Sequence, residues 1–152
     1  INVIKTTTIL SKTPDIYAKS IFIRAGSDHG ISEDFAAINE RGLVGKVISA
    51  SEKNSRIILI NDQNSSVPVT TMSKNFFAII KGTTDGKYLT SSFMKEEKRP
   101  KIGDVLLTSG NAGIFPQDIL VGKVIKVSED SFLALPYVDF NNLEFVQIVN
   151  IK

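Results

Sequence analysis

The chain of 152 residues holds one histidine and no cysteine, so disulfides, thiolate metal sites and cysteine nucleophiles are excluded at once. His29 lies in Gly26-Ser27-Asp28-His29-Gly30, a polar turn bracketed by glycines. A histidine, an aspartate and a serine follow in the order used by barrel-type serine proteases, which would assign roles to His29, Asp62 or Asp104, and Ser109. The surroundings argue against that chemistry. An oxyanion hole needs glycine-rich backbone beside the nucleophile, and Thr108-Ser109-Gly110-Asn111-Ala112-Gly113 lacks the Gly-Asp-Ser-Gly context such enzymes use. A polar turn after a strand is the better reading of His29.

The other chemical sets are equally incomplete. A lone histidine with no carboxylate at helical spacing offers no tetrahedral metal set. The carboxylate pairs Glu33-Asp34 and Glu96-Glu97 are adjacent in sequence, so on a strand or loop they point apart and cannot flank a substrate as acid and base. No glycine-rich phosphate loop of either common spacing occurs. Lys46 and Lys123 occupy matched places in a repeat and could form a symmetric anion site, but a strand lysine ordinarily faces solvent or blunts an edge. The catalytic, cofactor and metal sets are therefore read as none.

The elements that would position any site are strands. Isoleucine and valine number 32 against 18 for leucine and alanine, with ten threonines besides, and β-branched side chains favour a pleated surface. At 42% hydrophobic and 22% charged, the chain has enough apolar residues to fold. Short β-type stretches are expected at 20–24, 42–50, 56–60, 67–71, 76–82, 88–93, 104–108, 120–127, 132–135 and 145–151, separated by Gly, Asn, Asp or Pro turns. The dense charge run at 95–101 reads as a solvated linker. The longest apolar run, Phe76 to Ile80, is far short of a membrane helix, which needs about 20 residues. A formal net charge of +2 gives no field that would draw nucleic acid.

An internal repeat organises these stretches. Leu43-Val44-Gly45-Lys46-Val47-Ile48-Ser49-Ala50-Ser51-Glu52 returns as Leu120-Val121-Gly122-Lys123-Val124-Ile125-Lys126-Val127-Ser128-Glu129, identical at eight of ten positions. The same offset of 77 pairs Asp62 with Asp139 and Asn64 with Asn141. Two copies of one small β unit follow, and a mid-strand glycine in each marks a sharp bend or close backbone approach at a barrel corner. The expectation is an all-β chain of two small β-barrels with little helix, divided near residue 75 into 1–75 and 76–152, with the last strand free to cross between them. Val44, Ile48, Val121 and Ile125 are expected to pack the barrels together.

With no competent catalytic set, an interaction module is the favoured class. Candidate partner contacts are Phe76, Phe77, Phe93, Met94, Tyr137 and Phe140, because aromatic and methionine side chains dominate interfaces when exposed.

The motifs Gly26 to Gly30, Asn39-Glu40-Arg41-Gly42-Leu43-Val44-Gly45-Lys46-Val47 and Asp62-Gln63-Asn64-Ser65-Ser66-Val67-Pro68-Val69 resemble the periplasmic region of the rod shape-determining MreC family. Gly103-Asp104, Thr108-Ser109-Gly110, Gly113-Ile114-Phe115-Pro116 and Val121 to Val124 agree in order, so the resemblance runs from about Val3 to Lys152. His29 departs from it, standing where the family has a small or acidic residue. Gly26, Gly30, Gly42, Gly45, Asp62, Pro68, Gly103, Asp104, Gly110, Pro116, Gly122 and Asp139 are then shape-preserving turn and strand-end residues. The resemblance implies a non-enzymatic, self-associating scaffold of bacterial cell-wall elongation on the periplasmic side of the cytoplasmic membrane. Its implied partners are a class B penicillin-binding protein, MreD and RodA, with a membrane anchor upstream of this chain. Two alternatives stand beside it. Pro100-Lys101-Ile102-Gly103-Asp104-Val105-Leu106 is similar to a turn in periplasmic adaptors of membrane-fusion secretion systems, and the serine order keeps a chymotrypsin-like protease as the enzyme alternative.

Overall fold

The computed structural model describes residues 2–14, 19–92 and 98–151. Its strands are β1 (Asn2–Pro14), β2 (Lys19–Ile23), β3 (Ala36–Asn39), β4 (Gly42–Ala50), β5 (Ser55–Leu59) and β6 (Val67–Thr71), then β7 (Phe77–Gly82), β8 (Leu89–Ser92), β9 (Val105–Thr108), β10 (Leu120–Val127), β11 (Ser131–Pro136) and β12 (Phe145–Asn150). Three single-turn 3-10 segments are the only helical structure among the described residues. Alternation produces the strands where one face is buried: Ser55, Ile57 and Leu59 point inward from β5 while Arg56 and Ile58 lean outward.

Two antiparallel barrels close, one in the order β1-β12-β3-β4-β5-β2 and the other in the order β10-β11-β8-β7-β6-β9. Closure removes the exposed edges that a sheet of short strands would otherwise present. Matching β4 with β10 and β5 with β11 makes the two cyclic orders the same, as an internal duplication requires. Under that match β12 stands in the first barrel where β6 stands in the second. The 77-residue offset agrees, because it carries β6 onto residues 144–148, which overlap β12. Each repeat therefore gives its sixth strand to the other barrel.

Strand membership accordingly departs from a cut near residue 75. β6 precedes that point yet closes the second barrel, and β12 crosses back to the first between β1 and β3. β1 and β3 lie outside the expected strands: β1 is threonine-rich without clean alternation, and β3 has only four residues.

Ile21, Ile23, Val44, Val47, Ile57, Val146 and Ile148 fill the first barrel. Val67, Val69, Ile80, Leu89, Leu106, Val121, Val124 and Phe132 fill the second, in a cluster that continues into Ala36, Leu43 and Val149 of the first. Val44 and Val121 thus pack separate cores instead of packing the barrels together. Ile48 and Ile125 correct the expectation further. The register of β4 on β5 shifts between Val47 and Ser49, and that of β10 on β11 between Val124 and Lys126, so both isoleucines are the extra residue of an equivalent bulge. Ile125 is 39% exposed as a result.

The barrels meet where β4 begins. A Cβ on Gly42 would stand 2.3 Å from the carbonyl oxygen of Leu120, so only glycine lets the two repeat strands approach this closely. At Gly45 a Cβ would stand 1.9 Å from Ile58 O, and at Gly122 2.7 Å from Leu135 O. Ile58 and Leu135 are themselves related by the 77-residue offset, so both glycines serve the same close approach.

Candidate functional site

The residues that could have formed a triad stay apart in their bonding. His29 ends a 3-10 turn, where its Nδ1 accepts from Gly26 N at 3.2 Å. Asp62 is buried and accepts from Asn64 N at 2.7 Å and from Lys19 N. Asp104 Oδ2 accepts from Lys101 N at 2.8 Å, and Ser109 Oγ accepts from Asn111 N at 3.3 Å. Each side chain shapes its own turn and none hydrogen-bonds another of the four. Lys46 is taken up by Asp34 at 3.5 Å, while Lys123 is exposed on β10, so the matched lysines stand in different settings. No group of three metal-ligating side chains occurs among the described residues. The 101–104 turn enters β9 of a closed barrel, with Gly103 N donating to Val124 O at 2.8 Å.

The two crossover turns carry the repeated aspartates. Asp62 accepts from Asn64 N, and Asp139 Oδ1 accepts from Asn141 N at 3.1 Å, so the same Asx turn recurs at both crossings. In the first, Asp62 O also accepts from Gly82 N at 2.9 Å, tying the crossing to β7. Pro68 pairs with Ile79 in the β6-β7 ladder, and Pro116 O accepts from Thr108 Oγ1 at 2.6 Å.

The candidate contact residues divide. Phe76 is 4% exposed and meets Phe132 edge-on at a centroid distance of 5.8 Å, so it packs the second core and is unavailable to a partner. Tyr137 and Phe140 are half-buried at the second crossover, and Phe140 packs against both cores. Phe93 and Met94 lie outside the described residues. Phe77 is 53% exposed on the outer face of β7, and Ile79, two residues on, is 61% exposed. Pro68 of β6 lies beside Ile79 in register, and the exposed Met72 follows β6, so an apolar outer face runs across two neighbouring strands. Ile79 and Met72 were missed from sequence, although Phe77-Ala78-Ile79-Ile80, apolar on both faces of a strand, carried the signal.

No helix among the described residues is long and apolar enough to cross a membrane. The family model "Rod shape-determining protein MreC, barrel core" matches residues 9–150. A Cell shape-determining protein MreC of Cereibacter sphaeroides is 28% identical over 141 residues, which cover 93% of this chain and 47% of that protein. The chain therefore spans about half the length of this curated relative. Among solved structures, the major periplasmic domain from the cell shape-determining filament MreC superposes with a TM-score of 0.81 at 22% identity, covering 96% of both chains. MreC from Helicobacter pylori, in complex with penicillin-binding protein PBP2, superposes with a TM-score of 0.68 at 17% identity over 95% of this chain and 98% of that one. With the family model spanning nearly all of its length and the duplicated double barrel shared with those structures, the chain belongs to the rod shape-determining protein MreC family.

Proposed function

We propose that this chain is a non-catalytic scaffold of the bacterial cell-wall elongation machinery, acting on the periplasmic side of the cytoplasmic membrane. It binds a class B penicillin-binding protein, MreD and RodA, associates with itself, and turns over no substrate. The observation that carries the reading is the outer face of β7, where Phe77 and Ile79 are both more than half exposed on a strand whose inward residues already fill a core. Large apolar side chains held on a rigid strand lose little conformational freedom on docking, and burying the exposed half of each contributes about 1–2 kcal/mol. The MreC chain solved with a penicillin-binding protein shares this double barrel, which supports such a partner here. The division of labour between the barrels belongs to the same proposal: the second barrel presents the contact face, and the exchanged strands β6 and β12 fix it relative to the first.

A pull-down tests the reading. The chain should retain the periplasmic domain of the penicillin-binding protein from the same bacterium, and a variant carrying Phe77→Glu and Ile79→Glu should lose it while keeping its circular dichroism. Failure of the unmodified chain to bind that domain or itself would overturn the proposal.

A further inference from the structure

The two crossovers match in sequence but are sealed differently. At the first, the Asp62 carboxylate takes the backbone N–H of Lys19 at the start of β2. β8 is the counterpart of β2: Ile21 pairs with Ile57 as Leu89 pairs with Ala134, and Ala134 is Ile57 displaced by 77 residues. Lys87 therefore stands where Lys19 stands. Its N–H donates to Asp85 Oδ1 at 2.9 Å, so the bond that closes the first crossover is replaced at the second by one within the β7-β8 turn. A cleft of about 620 Å³ opens there, between that turn and residues 135–141.

The chemistry of the cleft is specific. Lys19, Arg41 and Lys87 line it, and none of them takes part in a salt bridge among the described residues. Asp85 and Asp139 line it too, which leaves a formal charge of +1 and disfavours a polyanion. Tyr137 and Phe140 supply an apolar wall. Asn61, 5% exposed, also lines the cleft, and its Nδ2 donates to Gly86 O at 2.9 Å, bracing the β7-β8 turn against the first crossover.

We infer that this cleft binds an extended acidic peptide segment of a partner protein. A peptide offers a carboxylate side chain to Lys19 and Arg41 and an apolar side chain to the aromatic wall. The site is separate from the β7 face and holds whether or not that face takes a penicillin-binding protein.

The test is titration of the isotope-labelled chain with the probe peptide acetyl-Gly-Glu-Leu-Glu-Gly-amide, read by amide chemical shifts, beside its lysine twin acetyl-Gly-Lys-Leu-Lys-Gly-amide and sodium acetate. The acidic peptide should shift the amides of Gly86, Lys87, Tyr137 and Asn141, saturably and less at high salt. The lysine twin should not. Arg41 and Lys87 are both exposed, so Arg41→Glu with Lys87→Glu should keep the fold and raise Kd about tenfold or more. No shifts in the cleft, equal shifts from both peptides, the same shifts from acetate alone, or indifference to the charge reversals would each overturn the inference.

Discussion

Alanine at Gly45 and at Gly122 perturbs two equivalent barrel corners by different amounts. At Gly45 the new Cβ would stand 1.9 Å from Ile58 O, 2.9 Å from its carbonyl carbon and 3.0 Å from Ile57 Cγ2. Two of those three atoms are backbone and cannot rotate away, so the β4-β5 ladder must open by about 1 Å or more, enough to carry its hydrogen bonds out of range. At Gly122 the corresponding approach is 2.7 Å to Leu135 O, with the next atoms at 3.3 and 3.4 Å, and a smaller shift relieves it. Overpacking costs about 1–3 kcal/mol, partly offset by about 0.4–1 kcal/mol from the stiffer unfolded chain. Gly45→Ala falls at or above the top of that range, about 3 kcal/mol, and Gly122→Ala near 1 kcal/mol. For a chain of 152 residues, at about 2–4 °C per kcal/mol, the expected falls in Tm are about 6–12 °C and about 2–4 °C. Calorimetry, with urea denaturation followed by circular dichroism, reads both. Gly122→Ala costing as much as Gly45→Ala, or neither costing anything, would refute the close-approach argument.

The other expectations follow from single observations. Thr108 is fully buried, donating from Oγ1 to Pro116 O at 2.6 Å and accepting from Ile119 N at 2.9 Å, so Thr108→Val strands two buried polar groups and should cost about 1–3 kcal/mol in urea unfolding. Because each barrel is closed by a strand from the other repeat, the chain should melt in one calorimetric transition, whereas two resolved transitions would show that β6 and β12 do not couple the barrels. The Thr83 hydroxyl, then the Lys87 N–H, hold the Asp85 carboxyl below its ordinary 3.8. A depressed folded value contributes stability above the unfolded value that is lost as pH falls through the folded one, so an NMR titration should place Asp85 below 3.8 and Thr83→Val should raise it.

The sequence was most legible where identical residues recur at one spacing. Gly45 with Gly122 and Asp62 with Asp139 could be matched as strand corners and turn formers because the chemistry each position needs admits few residue types. The strand exchange was not legible, since a repeat says which segments are alike and not which barrel each one joins. Ile48 and Ile125 were misplaced for a related reason: one extra residue in a bulge turns a side chain outward without altering the apolar pattern. Phe76 and Phe77 show the same limit at the candidate site. Adjacent phenylalanines are equivalent in composition, and only the pleat sends one into the core against Phe132 and the other to the surface. The cleft at the second crossover draws its lining from Lys19, Arg41, Asn61, Lys87 and Tyr137, residues far apart in sequence that no local pattern brings together.

The proposed scaffold role requires the double barrel to bind its partner through the outer face of the second barrel. Hydrogen–deuterium exchange of the chain, alone and mixed with the periplasmic domain of the class B penicillin-binding protein, tests it most directly. The expected result is slowed exchange concentrated in peptides covering Phe77 to Gly82 and the adjoining β6, with the first-barrel core unchanged. Exchange that is unaltered by a saturating excess of that domain, or slowed only on the first barrel, would contradict it.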